Sequence, residues 1–275
     1  MELKAKSKTL LPRVLVGFGL GGAFLASLLD PLLFVFLALM AAMAGTWELA
    51  SALRHGGYQI SRWAAAYLAL PVIGFSYFEG ALGQWLSVLV SISLLSIVTV
   101  TYHVVERQGS RRQLFRNLSA GVFVVFYVPL MMSFAVLIIA AEDGIAILFS
   151  LVLTVVAIDT FGYLIGRFFG KTRFAPGVSP KKTWEGFFAS VVGALLVGVS
   201  TSYFLIGTSL GLAVVFSLAV LMAAVLGDLS ESLIKRDLGI KDMGDILPGH
   251  GGVMDRLDSM LPAAFIGYLF MLVFL

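Results

Sequence analysis

Long apolar runs separated by short polar breaks dominate the chain, and most are of membrane length. A helix needs about 20 mostly apolar residues to cross the hydrocarbon core of a bilayer. By that measure nine helices are predicted, over residues 12–29, 31–53, 63–78, 82–105, 118–141, 144–168, 184–207, 210–236 and 256–275. Pro31, Pro71 and Pro129 fall at or inside these runs, where membrane helices tolerate proline better than soluble ones do. The basic opening, MELKAKSKTLLPR, leads into the first run without a small-residue cleavage site. It is therefore read as the flank of a retained helix and not as a signal peptide. The predicted fold class is an all-α polytopic membrane protein.

Composition agrees. Only 13% of the 275 residues are charged, against roughly 25% in a soluble domain, and the mean hydropathy is +0.98. There is no cysteine, so disulfides and thiolate metal sites do not enter. The net charge of +3 is explained by where the basic residues lie, not by nucleic acid. If nine helices start from a cytoplasmic amino terminus, all 19 Lys and Arg residues fall in cytoplasmic segments. The opposite loops then hold only Asp30, Glu79, Glu142 and Asp143. That asymmetry predicts a cytoplasmic amino terminus and a carboxyl terminus on the other side. The two longest polar loops, 169–183 and 237–254, then face the cytoplasm. Residues 1–141 form an amino-terminal set of helices suited to packing or dimerisation, and 142–275 the half that carries chemistry.

The densest polar stretch is SLIKRDLGIKDMGDILPGHGGVMDRLD, Ser232–Asp258. It sets Lys235, Arg236, Lys241 and Arg256 among Asp237, Asp242, Asp245, Asp255 and Asp258, between two apolar runs. Asp228, Glu231 and Lys235, spaced i, i+3, i+7, share one helix face. Asp228 lies roughly 12 Å inside the helix end at 1.5 Å per residue. Asp255 and Asp258, at i, i+3, are expected to form a second acidic face at the start of the last helix. Converging carboxylates suit a hard cation with oxygen ligands, Mg²⁺ above all. The glycines around His250 let backbone N–H groups approach an anion, and His250 is a candidate to donate to a phosphate oxygen or to move a proton.

A second cluster, DTFGYLIGRFFGKTRFAPGVSPKKTWEG, covers residues 159–186. Asp159, Tyr163 and Arg167 follow one another at i+4 and i+8 on a single stripe. Ser179-Pro180 is expected to be an N-cap followed by proline at the first helical position. Lys181 and Lys182 would then sit in the first turn, beside free N–H groups that already favour an anion. With Arg167 and Lys171 they outline a triphosphate pocket. Basic clamps, carboxylates and a divalent cation together point to phosphoryl or nucleotidyl transfer. The depth of the site points to a lipid phosphate as one substrate.

At this point the chain resembles the phosphatidate cytidylyltransferase (CDP-diacylglycerol synthase) family. The likeness rests on the Ser-x-apolar-Lys-Arg start, the Lys-Asp pair, the Pro-x-His-Gly-Gly turn and the closing Asp-Arg-x-Asp of Ser232–Asp258, with support from Asp159 and SPKKTWEG. The resemblance implies conversion of CTP and phosphatidate to CDP-diacylglycerol and pyrophosphate. It implies Mg²⁺ as one or two divalent ions, which a monovalent cation can accompany. Carried onto this chain, Asp228, Asp255 and Asp258 would ligate the metal, and Lys235, Arg236 and His250 would join them in the catalytic set. Ser179, Lys181, Lys182 and Thr183 would seat CTP, with Asp159, Arg167, Lys171, Lys241 and Arg256 around its phosphates. The expected setting is a bacterial inner membrane with the site facing the cytoplasm. A CTP-dependent kinase of the polyprenol or phytol type and an ion-coupled transporter, with Asp159, Asp228 and Glu231 as ion sites, are the competing readings.

Overall fold

Local signals place the helix ends. In the computed structural model, which describes residues 16–105, 109–247 and 251–275, a short apolar helix α1, Val16–Ser27, precedes α2, Pro31–His55. Asp30 caps α2 by accepting from the Leu32 N–H at 2.7 Å, and Pro31 occupies the first turn, where its missing N–H costs nothing. Ser61 caps α3, Arg62–Tyr67, and α4 follows over Ala69–Val105. The helix α5, Arg111–Ile139, is capped by Ser110 and passes through a π-type turn at Phe126–Leu130 around Pro129. A proline inside a helix removes one backbone bond, and the wider turn accommodates that loss.

One predicted boundary becomes clear here. The stretch Arg62–Val105 is a single apolar segment of 44 residues, but Gly80 breaks it with φ 64° and ψ −148°, a conformation that glycine alone adopts without strain. The Ser91 hydroxyl donates to the Leu68 carbonyl at 3.2 Å. In a straight helix those residues would stand about 34 Å apart, so the segment doubles back at Gly80. The expected helices 63–78 and 82–105 are its two arms.

The remaining helices are α6, Gly144–Phe169; α7, Trp184–Ile206; α8, Leu210–Asp237; the four-residue α9, Met254–Leu257; and α10, Met260–Phe274. A two-stranded antiparallel hairpin, β1 Arg173–Ala175 and β2 Ser179–Thr183, joins α6 to α7. Among the described residues, seven helical segments are long and apolar enough to cross a membrane. Their outward side chains include Phe36, Phe78, Phe204 and Leu272, as expected of surfaces that meet lipid. The protein is an all-α polytopic membrane protein.

Two expectations are corrected. Ser179-Pro180 does not cap a helix, and Lys181 and Lys182 do not lie in a first turn: all four residues belong to β2. The helix starts later because Thr183 is the cap, its Oγ1 accepting from the Gly186 N–H at 3.2 Å. Pro176-Gly177 supplies the hairpin turn instead, closed by the Val178 N–H on the Ala175 carbonyl at 3.1 Å. Nor do Asp255 and Asp258 share one continuous helix, because α9 stops at Leu257 and α10 begins at Met260. Pro262 accounts for the break: it has no N–H to give the Asp258 carbonyl four residues back, and its ring crowds that carbonyl.

The chain divides into two units. One comprises the residues up to Val136 together with Leu238–Leu257. The other comprises Leu137–Asp237 and Asp258–Leu275. The polar loop 238–257 is thus grouped with the amino-terminal helices. The second unit has a core of Leu151, Val155, Ile158, Phe216, Val220, Leu221 and Phe270. Its helices meet through small residues. A Cβ on Gly186 would stand 2.9 Å from the Gly162 carbonyl and 3.2 Å from the Gly166 Cα, so α6 and α7 touch backbone to backbone. Close approach of this kind is how membrane helices gain packing energy without a hydrophobic drive.

Candidate active site

In the second unit that close packing makes one wall of a cavity of about 830 Å³. Asp159, Tyr163 and Arg167 line it from α6, Lys171 from the following turn, Lys181 and Lys182 from β2, Thr183 from the α7 cap and Asp228 from α8. The predicted stripe on α6 is real, and the Arg167 guanidinium donates to the Tyr163 hydroxyl at 2.5 Å. Lys182 forms an ion pair with Asp228 at 2.5 Å, both half-buried. Ser179 lies at the start of β2, paired with Ala175, and is not among the lining residues. Arg173 adds a further cation to the lining.

Just beyond Asp228 the α8 face continues as expected. Glu231 is fully buried and pairs with Lys235 at 2.5 Å. The Arg236 Nε donates to the Val178 carbonyl at 3.1 Å, tying the hairpin turn to α8. Asp258, at the break before α10, accepts its neighbour's Ser259 N–H at 2.7 Å. It stands near enough to Asp228 for the two carboxylates to repel and within hydrogen-bonding reach of Glu231. Gly227 permits this approach: its missing Cβ would meet the Asp258 carbonyl and, at 2.8 Å, the Pro262 ring.

In the first unit the polar loop is organised around carboxylates that accept backbone bonds. Asp255 Oδ2 receives the Met243 N–H at 3.0 Å and the Gly252 N–H at 2.8 Å. The Leu247 N–H donates to the Gly251 carbonyl at 3.0 Å, and Gly251 has φ 82°. Lys241 and Arg256 are exposed. His250 lies outside the described residues. Beneath the loop sits Glu48 of α2, with no exposed surface, whose Oε2 accepts the Met254 N–H at 2.9 Å.

A family model described as "Cytidylyltransferase family" matches residues 11–274. The chain belongs to that family. A protein of Mycobacterium leprae named phosphatidate cytidylyltransferase is 35% identical over 276 residues, covering 93% of this chain and 85% of its own. One from Mycobacterium tuberculosis (strain H37Rv) with the same name is 35% identical over 271 residues, covering 96% and 82%. A third, from Helicobacter pylori, is 44% identical over 131 residues, about half of each chain, at 46% and 48%.

Within this cytidylyltransferase the seven predicted residues Asp159, Arg167, Lys171, Lys181, Lys182, Thr183 and Asp228 therefore come together around one cavity. Lys241, Asp255 and Arg256 belong to the other unit. Among the described residues no three Asp, Glu or His side chains are gathered so as to hold a metal ion. The donor chemistry of the second unit nevertheless suits a hard cation. Asp228 and Asp258 offer carboxylate oxygens that repel each other, and Asp228 already draws a positive charge, the Lys182 ammonium. Glu48 escaped the sequence reading altogether. Its one signal was a single acid inside an otherwise apolar helix, a position that marks function in membrane proteins.

Proposed function

We infer that this cytidylyltransferase makes CDP-diacylglycerol, transferring the cytidylyl group of CTP to the phosphate of phosphatidate and releasing pyrophosphate. The observation that carries the reading is the cavity: Arg167, Lys171, Arg173, Lys181 and Lys182 surround it, with the carboxylates Asp159 and Asp228 on its wall. That charge pattern fits a triphosphate. Asp228 and Asp258 would hold Mg²⁺, and the family resemblance gives Asp255 a part in phosphate chemistry. When bound, the ion supplies charge neutralisation on phosphate oxygens. The chain's own groups bind and orient. The lysines on β2 and Lys171 hold the leaving phosphates, and Arg167, fixed by Tyr163, holds a further phosphate oxygen. A phosphatidate oxygen attacks the α-phosphorus in line, one P–O bond forms and the bond to the bridging oxygen breaks. No general base is needed, because a phosphate monoester is largely ionised near pH 7, with a second pKa of about 6.

The test uses purified protein, phosphatidate, Mg²⁺ and CTP labelled separately at the α and γ positions. Label from the α position should enter the lipid with release of pyrophosphate. Label from the γ position in lipid would mean a kinase, and ion flux without transfer would mean a transporter.

The same reading places the site at the cytoplasmic face of a bacterial inner membrane, with nine crossings. Two observations support it: the doubling back at Gly80 and the segregation of all 19 basic residues. The protein has no cysteine, so single cysteines can report sidedness directly. In intact cells an impermeant thiol reagent should label a cysteine at Asp143 and spare one at Lys181. Labelling of both from outside would contradict the orientation.

A further inference from the structure

We infer that Glu48 is a positioning residue for the reaction, fixing the loop backbone at Gly244, Gly252 and Met254 and, through it, the presentation of Asp255. The inference rests on the proposed part of that loop in phosphate chemistry. Glu48 is the only acidic residue of α2 and is fully buried. Both of its oxygens face the loop. Oε2 accepts the Met254 N–H at 2.9 Å, and a Cβ on Gly252 would fall 2.5 Å from that same oxygen. Oε1 has no hydrogen-bond partner in close geometry among the described residues and occupies the space that a Cβ on Gly244 would need. Neither Gly244 nor Gly252 has a positive φ. Their value is the missing side chain, which lets the loop close over the carboxylate, and not conformational freedom.

The contacts form a chain of control. Met254 opens the short helix α9 that carries Asp255, so the bond from Glu48 sets where that helix begins. Asp255 in turn gathers the Met243 and Gly252 N–H groups. One carboxylate braces the loop from below and the other from within. Apolar packing would not require a carboxylate at position 48, and burial makes its charge costly unless backbone donors face it. The hydrogen-bond donor that Glu48 meets in the loop, the Met254 N–H, is backbone, which suits a residue that acts on geometry and not on substrate.

The experiment compares full-length wild-type protein with Glu48→Ala, Glu48→Gln and Gly252→Ala. It measures steady-state α-label transfer and hydrogen–deuterium exchange of the loop amides. In Glu48→Ala, kcat should fall roughly 10- to 100-fold, as when a partner that orients a functional group is removed, with KM for CTP little changed. Exchange at Met243, Gly252 and Met254 should quicken, while the hairpin 173–183 exchanges as in wild type. Glu48→Gln keeps an acceptor for Met254 and should recover most of the rate. Gly252→Ala, which expels the carboxylate, should reproduce the loss and carries the test if Glu48→Ala does not insert. Unchanged loop exchange, a loosened loop with full kcat, or no rescue by Glu48→Gln would each overturn the inference. Absence of α-label transfer by wild type is a separate failure, that of the proposed function, and the exchange data would still decide whether Glu48 holds the loop.

Discussion

Asp228→Asn should lower kcat/KM for α-label transfer by on the order of 10³-fold, the loss expected when one preorganised charged group is removed from a phosphate site. The fold should survive. Asp228 and Lys182 are 32% and 24% exposed, and a pair so accessible to water contributes at most about 1 kcal/mol to stability. The neutral amide keeps the shape of the carboxylate and still accepts from Ser232, whose hydroxyl lies at 3.4 Å. A melting temperature near wild type alongside lost turnover would assign the effect to chemistry. Turnover near wild type would remove Asp228 from the site.

Lys182→Ala should be the next most damaging change, lowering kcat/KM for CTP by roughly 10²- to 10³-fold. Lys181→Ala should cost less. Both lysines line the cavity, but of the two neighbours Lys182 is the half-buried one, set against Asp228. Lys182→Arg should rescue only in part, since a planar guanidinium does not replace a compact ammonium charge. Steady-state kinetics of the three variants with varied CTP would check the order. Equal losses at positions 181 and 182 would mean that the strand does not present one lysine in preference to the other.

What the sequence made legible followed from rules with short range. Apolar runs located the helices, and the stripe Asp159–Tyr163–Arg167 could be read because four residues make about one turn. Failures came where two local signals competed. Ser179-Pro180 and Thr183 are both acceptable helix starts, and the choice fell to Thr183 once Pro176-Gly177 turned the chain into a hairpin. The i, i+3 spacing of Asp255 and Asp258 promised a shared face, but Pro262 acts four residues back and ends the helix between them. Glu48 was out of reach for a different reason, because its partners are chosen by tertiary structure and no periodicity connects α2 to the loop. The tie between its carboxylate and the glycines at 244 and 252 appears only when both are placed in space.

That tie also sets a timetable. Glu48 and the Met254 amide that it binds are 206 residues apart. Ribosomes add roughly 5–20 residues per second, so the carboxylate is made about 10–40 seconds before its partner. The helix α2 thus enters the bilayer with an acid whose protein ligand is not synthesised until α9. A nascent chain halted after α8 possesses every long helix of the amino-terminal unit and still lacks the segment that satisfies Glu48. Completion of that unit consequently has to wait until the chain has been translated past α8.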